Sequence, residues 1–477
     1  MGLVINPYIK IRRDGNRAIL FSPNYPDSLY GPCFRFISPI QAMVLSLFNG
    51  KRGLAEIKEA VAYLFEIDAK DASDKIDSLL ALPVSRDHTI GTFIVDVSSI
   101  DPKSIRFYDP KAFVPDNDRV NHHRNRCDLP YSMIVLPTMR CYTRCRYCYA
   151  DRNGFCGKEF DISLFKELLR QAKDCGMETV SFSGGDIFCR SDALELIECT
   201  LSMGMNPNIP TKYPLSKAQI KQLSEMGLSS IQISIDALNP DIIDNLIAFR
   251  PGYGNEILQT IDNLGDAGIR VRTNSVLTPY NINDAINLAR YLARLTHVFK
   301  CNFTCYGRSL YCHDNSLFCS PEDIIKFEDD FNKIKGDFPE KFFFSGLIRD
   351  PYNGDGSERA SLFAKRAMCS ANRSSFVVLP DGRVTICEEL YFHESFILGD
   401  LNNQSLIEIW NSPKAKELAN PSQSSVPDGA CKDCSDFSIC HKGLGRCFRE
   451  CLKAYGMHRP HWPDPRCPRA PVGNRMV

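Results

Sequence analysis

The chain has 477 residues with 57 basic and 57 acidic side chains, a balance that excludes a nucleic-acid binder built on a basic face and a partner steered by one sign of charge. No apolar run reaches the roughly 18 residues that cross a bilayer, and the charged start, MGLVINPYIKIRRDGNRAILF, does not read as a signal peptide, so a cytoplasmic protein of about two to four domains, bound to neither membrane nor nucleic acid, is expected. The 21 cysteines, in a long chain without an export signal, point to metal or redox chemistry and not to a disulfide scaffold.

Residues 1–84 read as a small α+β module. IKIRR and AILFS flank Asp14-Gly15-Asn16, a hairpin signal. Ser38-Pro39-Ile40-Gln41 reads as a capping box with proline at the first helical position, opening the helix AMVLSLF. LAEIKEAVAYLF and DASDKIDSLLAL follow as two further helices, and Ile57, Val61 and Leu64 recur at helical spacing as one buried face. Residues 85–128, weakly periodic and rich in Asp, Pro and Asn, read as a linker that also packs on its neighbours.

From 129 to 345 strand-like and helix-like segments alternate. MIVLP, TVSFS, NPNIPT, SIQISI, IRVRTNSV and VFKCNFT are the strands, and SLFKELLRQAKDC, DALELIECTLSM, KAQIKQLSEMG, NEILQTIDNLGDAG and INDAINLARYLARL lie between them. Such a series predicts a parallel sheet with helical crossovers, doubly wound or a partial barrel, with chemistry at the carboxyl ends of the strands.

The motifs fall at those ends. CYTRCRYC follows the first strand and sets Cys141, Cys145 and Cys148 in a C-x3-C-x2-C array. Three thiolates on one short loop occupy three irons of a cubane cluster and leave the fourth iron open, where S-adenosylmethionine can chelate through its amino and carboxylate groups. A zinc knuckle instead wants four ligands and C-x2-C spacing. Lys212 and Arg308 also follow strand ends, and each serves equally well as a structural ion-pair partner. Beyond residue 346, Cys369-x12-Gly382-x4-Cys387 precedes Cys431-x2-Cys434-x5-Cys440, then Cys447, Cys451 and Cys467. Cys33, Cys127, Cys156, Cys175 and Cys199 stand apart and read as ordinary buried thiols.

With Tyr147 as the aromatic residue before the third cysteine, CYTRCRYC resembles the radical S-adenosylmethionine superfamily, over roughly residues 129–345. The resemblance implies a partial (β/α)6 TIM-like barrel and gives roles to further residues. Ser183-Gly184-Gly185-Asp186 is similar to the family's GGE motif, which meets the methionine amino group. Ser234 and Asp236 match the segment contacting ribose or carboxylate, Arg250 a carboxylate clamp, and Asn274 a ribose or adenine contact.

The strand pair and ISPIQAMVLSLFNGKRGLAEIKEAVAYLFE resemble the PqqD-like winged-helix module called a RiPP recognition element, which binds a precursor peptide's leader as an added strand. The carboxyl-terminal cysteines, with VVLPDGRVTIC and LGDLNNQSLIEIWNSPKAKEL, resemble the SPASM domain. That implies two auxiliary [4Fe–4S] clusters, three in all: an outer one on Cys431, Cys434, Cys440 and Cys467, and an inner one on Cys369, Cys387 and Cys447 with Cys451 as possible fourth ligand. Leu444 stands where the family's next cysteine normally falls, and Cys447 comes three residues later. A pair of zinc sites is the alternative for this block.

The expected order is therefore 1–84 leader binding, 85–128 linker, 129–345 barrel and 346–477 linker helix with SPASM domain. The expected activity is cleavage of S-adenosylmethionine, with electrons from a flavodoxin or ferredoxin, and cross-linking of a ribosomally made peptide at the barrel mouth through a thioether or carbon–carbon bond. Other radical outcomes stay open: a peptide epimerase, a sulfatase formylglycine maturase or a small-molecule dehydrogenase. A non-catalytic iron–sulfur carrier or zinc-stapled peptide binder is the third class.

Overall fold

The computed structural model describes residues 2–23, 33–85, 88–116, 118–151, 157–248, 250–346, 356–366, 368–391 and 393–471. Two compact units, Met1–Leu129 and Pro130–Val477, divide the chain. No helix among the described residues is long and apolar enough to cross a membrane.

In the first unit β1 (Leu3–Ile5) precedes a hairpin of β2 (Lys10–Asp14) and β3 (Arg17–Phe21), and β4 (Phe34–Ile37) completes an antiparallel sheet in the order β2-β3-β4. Gly15, at φ +65°, makes the tight turn that Asp14-Gly15-Asn16 predicts. Helices α1 (Pro39–Ser46), α2 (Leu54–Leu64) and α3 (Ala69–Leu80) follow. The capping box forms: Ser38 Oγ accepts from the Gln41 amide at 3.1 Å, and Gln41 Oε1 accepts from the Ser38 amide at 2.8 Å.

One detail of the expected helix face is corrected. Ile57 and Val61 are buried, but Leu64 is 59% exposed. The i, i+4 ridge continues through Phe65, which packs on the core where the helix ends, so Leu64 falls on the outer side. The stretch expected as a linker is part of this unit. Its strand β5 (Ile94–Asp96) pairs antiparallel with β1, Tyr108 Oη accepts from the Ile11 amide, and Arg17 donates to the carbonyls of Arg124 and Arg126 at 2.7 Å each.

The second unit is a partial α/β barrel. Its strands are β6 (Ser132–Val135), β7 (Thr179–Phe182), β8 (Asn206–Asn208), β9 (Pro210–Thr211), β10 (Ser230–Ser234), β11 (Arg270–Leu277), β12 (Val298–Cys305) and β13 (Phe342–Ser345). β6-β7-β8 and β9-β10-β11-β12-β13 are parallel runs. The third expected strand, NPNIPT, divides at Ile209. Asn206, Pro207 and Asn208 pair on β7, whereas Pro210 and Thr211 pair on β10, whose Gln232 amide donates to the Ile209 carbonyl, so the chain turns a corner between sheets.

Along β11 buried Val271, Thr273, Ser275 and Leu277 alternate with half-buried Arg272, Asn274 and Val276, the period-2 pattern of a strand with two unlike faces. Covering helices bring apolar stripes at helical spacing, such as Ile257, Ile261 and Leu264 in Tyr253–Asp266. After the barrel, β14 (Ser375–Val378) lies parallel beside β6, and β15 (Arg383–Thr385) and β16 (Ile397–Asp400) extend the same sheet. The carboxyl-terminal cysteine region is thereby joined to the strand that launches CYTRCRYC.

The corrected helix face has a measurable consequence. Ile57→Ala should cost about 2–5 kcal/mol, while Leu64→Ala should stay within about 0.5 kcal/mol. Urea titration followed by hydrogen exchange of the α2 amides distinguishes the two, and equal costs would refute the assignment.

Candidate active site

The cysteine loop leaves β6 and is fixed from both sides. Thr138 Oγ1 donates to Glu159 and accepts from the Arg140 amide at 3.0 Å, and Arg140 also reaches Glu159 at 2.8 Å. On the far side the amides of Arg144 and Arg146 donate to Ile247 and Leu246 at 2.9 and 3.2 Å, in a π-helical turn, Asp244–Ala248. Between these anchors stand Cys141, exposed, Cys148, partly buried, and Cys145, buried with its Sγ 3.5 Å from Thr143 Oγ1.

The second loop lies directly against the first. Gly185 and Asp186 donate backbone N–H bonds of 2.8 Å to the Thr138 and Arg140 carbonyls. A Cβ at Gly185 would stand 2.1 Å from the Arg140 oxygen, and Gly184 sits at φ +95° with Thr138 O 2.8 Å from where its Cβ would be. The glycines are thus demanded by backbone-to-backbone approach within the protein itself. The Asp186 carboxylate, 5% exposed, is committed as well: it accepts from the Phe188 amide, the Thr211 hydroxyl and the Lys212 amide at 3.1, 2.8 and 2.9 Å. It ties the end of β9 to the glycine loop.

Tyr147 donates a short hydrogen bond to Asp236 Oδ2, and the Val276 amide donates to Oδ1 at 2.8 Å, so fully buried Asp236 links the cysteine loop to β10 and β11. Burial pushes the Asp236 carboxyl upward, and Lys212 opposes that shift. Ser234 and Asn274 are register partners on those strands. Arg250, expected as a clamp, is instead ion-paired with Glu256 and donates to Tyr142 Oη at 2.6 Å, at the exposed side of the cysteine loop. Ser183 donates to Glu388 and shares a 2.9 Å bond with Tyr149. Glu388 and Tyr149 escaped sequence reasoning, although each is the immediate neighbour of a cysteine already singled out. Arg308 bonds to Asn315 at 2.7 Å and forms no ion pair among the described residues.

Cys141 and Cys145 are held in surroundings that resist thiolate formation unless positive charge is supplied. Crowding by protein pushes the Cys141 thiol up although solvent reaches it, and Asp186, Cys148 and Cys145 add to the shift. Burial does the same at Cys145, against the pull of Lys212. A metal cluster supplies the missing positive charge, so this donor set fits an iron–sulfur group.

Farther along, Cys431, Cys434, Cys440 and Cys467 line one cavity of about 250 Å³ with Phe437, Arg446 and Asp464. Burial raises Cys431 to about 11, and neighbouring Cys467, Cys440 and Cys434 contribute. Cys369 and Cys387 are both raised by burial, and both feel Cys447. Cys451 lies wholly buried with Ala454, Tyr455 and Trp462 in an apolar cluster, one helical turn after Cys447. Among the described residues no three His, Cys, Asp or Glu side chains converge on a single-ion site; thiolates of a cubane bind separate irons and stand correspondingly apart. Of the isolated cysteines, Cys33, Cys127, Cys175 and Cys199 are buried, and Cys156 lies outside the described residues.

Comparison with known proteins matches residues 135–292 to the radical SAM superfamily and residues 369–435 to an iron–sulfur cluster-binding domain, SPASM. PqqA peptide cyclase of Rhizobium meliloti (strain 1021) is 25% identical over 354 residues, covering 73% of this chain and 89% of that protein. GTP 3′,8-cyclase of Clostridium perfringens is 31% identical over 175 residues, 34% of this chain and 52% of that one. Among solved structures, Streptococcus suis SuiB bound to its precursor peptide SuiA has the same fold, with a TM-score of 0.61 at 16% identity over 97% of this chain and 98% of that one. SuiB bound to S-adenosylmethionine gives 0.62 at 15%, over 98% and 99%.

The contact between loops predicts that Gly185→Ala forces them apart. Anaerobically reconstituted Gly185→Ala protein should hold about four fewer irons per chain than wild type, whereas Gly336→Ala, with open space around it, should hold the full complement. Iron analysis that finds wild-type content in Gly185→Ala contradicts the role given to this contact.

Proposed function

We propose that this chain, with a radical S-adenosylmethionine domain over residues 135–292 and a SPASM domain over 369–435, is a cytoplasmic maturase that cross-links a ribosomally made precursor peptide. The observation that carries the reading is one loop of three thiols held at a strand end against Gly184–Gly185. Similarity to a peptide cyclase over 89% of that enzyme supports a peptide substrate.

When bound, a [4Fe–4S] cluster and S-adenosylmethionine supply a 5′-deoxyadenosyl radical, which removes hydrogen from an unactivated carbon. Cys141, Cys145 and Cys148 would hold that cluster. The Gly184–Gly185 backbone would meet the cosubstrate's amino end, with Ser183 beside it. Ser234 and Asn274 would face the ribose, and Tyr147 and Asp236, locked together, would fix the floor between them. Arg250 reaches a carboxylate only by exchanging Glu256 for it.

Cys431, Cys434, Cys440 and Cys467 would hold an outer auxiliary cluster. Cys369, Cys387 and Cys447 would hold an inner one, with Cys451 the remaining candidate for its fourth ligand, making three clusters in all. They would accept the electron left over when the peptide radical closes its new bond, a thioether or a carbon–carbon link. A flavodoxin or ferredoxin would supply the initiating electron.

Residues 1–84 would bind the leader as a strand added to an edge of the β2-β3-β4 sheet, where backbone groups provide affinity. The same unit holds an apolar groove of about 530 Å³ lined by Ile40, Val44, Val61, Phe65 and Leu79, suited to apolar leader side chains. Tethering raises the effective concentration of a weakly held core peptide at the barrel mouth.

The test is mass spectrometry of the peptide encoded beside this gene, coexpressed with the enzyme. A cross-link removes two hydrogen atoms and locks two residues together in the fragmentation pattern. A peptide unchanged except for deuterium taken from solvent indicates an epimerase, and an unaltered peptide contradicts the reading.

A further inference from the structure

Lys212 was open to two readings in the sequence, and the structure removes one. Its backbone is pinned at the end of β9: the amide donates to Asp186 Oδ2 at 2.9 Å, and the carbonyl accepts from Tyr253 Oη at 2.7 Å. Its ammonium lies 5.4 Å from the centre of the ring of Tyr147, a residue of the cysteine loop. Among the described residues it forms neither a hydrogen bond nor an ion pair through Nζ, so it is not a structural ion-pair partner.

Of the other cations on or beside the cysteine loop, Arg144 is exposed to solvent, and three are occupied. Arg140 is paired with Glu159, Arg250 with Glu256, and Arg146 lies over Tyr280 with Asp314 at 4.0 Å. The groups whose charge Lys212 senses are Cys145, Asp236, Cys148 and Cys141. Burial works against its ammonium, and negative charge on these four groups favours it. A partly buried cation with no direct partner is costly unless negative charge gathers nearby.

Three thiolates around a [4Fe–4S]²⁺ core sum to one negative charge, and adding an electron makes two. A fixed cation close by stabilises the second state more than the first, and does so strongly where water is excluded. Net charge around the sulfurs is one of the levers that set a cluster's reduction potential.

We propose that Lys212 is a positioning residue for electron transfer: its ammonium, held over Tyr147, is the counter-charge that makes the cluster on Cys141, Cys145 and Cys148 easier to reduce. The inference rests on the reading that those cysteines hold a cluster. One electron passes from the external donor to the cluster, and Lys212 neither gains nor loses a bond or a proton.

The test is an EPR-monitored redox titration of the anaerobically reconstituted full chain, as wild type, Lys212→Gln and Lys212→Arg. The cluster in question is the one whose signal changes when S-adenosylmethionine is added. In Lys212→Gln its reduced-to-oxidised ratio at a fixed potential should fall about tenfold, a midpoint about 59 mV lower for one electron. Lys212→Arg should stay near wild type, and the other iron–sulfur signals should not move in either variant. The midpoint is read on whatever fraction of Lys212→Gln assembles, so a poor yield does not hide the answer. A Lys212→Gln midpoint equal to wild type overturns the inference, and so does a Lys212→Arg midpoint displaced as far as that of Lys212→Gln. If wild type shows no signal that responds to S-adenosylmethionine, the cluster reading itself fails, and the inference with it.

Discussion

The backbone of Gly185 lies against that of Arg140 so closely that even a methyl group would meet the carbonyl oxygen at 2.1 Å. This contact joins the ends of β6 and β7, and the rest of the site is organised about it. The cysteine loop could not be pinned by the Gly185 and Asp186 amides if either glycine carried a side chain. Asp186 can then turn its carboxylate to gather Thr211 and the Lys212 amide, and so sets where the third strand ends. Two bare backbones in contact thus position the loop of three thiols, a carboxylate and the backbone of Lys212.

Charge completes what the backbone begins. Cys145 and Asp236 are buried where an anion is costly, and Lys212 is the cation that both sense. The short Tyr147–Asp236 bond ties the aromatic residue of the cysteine motif to the fourth and fifth barrel strands. Ser183 and Glu388 carry the network toward Cys387, so the first thiol group and the carboxyl-terminal cysteines belong to one connected body. The sheet makes the same connection, because β14, just after Cys369, is hydrogen-bonded in parallel to β6, just before Cys141.

Much of this was legible in the sequence, because it depends on local rules. Each expected barrel strand has a counterpart in the structure, since apolar alternation and helical stripes are short-range signals. The cysteine spacing was equally plain. The remainder required tertiary contact. The break at Ile209 depends on which neighbour each half of NPNIPT finds, and the two prolines hinted at it only in retrospect. Leu64 was misplaced because the helix stops there and Phe65 takes over the ridge. The glycines of Ser183-Gly184-Gly185-Asp186 were ascribed to a ligand's approach, yet a second loop of the protein already demands them. Arg250 was given a clamp's role by the family resemblance, with no sign in the sequence that Glu256 would pair with it. Lys212 was undecidable until the absence of a carboxylate partner at its ammonium could be seen among the described residues.

The central claim is that three thiols on the first-strand loop leave one iron free to bind and split S-adenosylmethionine. Its most direct measure is the yield of 5′-deoxyadenosine from anaerobically reconstituted protein given dithionite and S-adenosylmethionine, against a Cys145→Ala control. The account predicts steady formation by wild type and none above background in the variant. Equal yields from the two proteins, or no product from either, would contradict it.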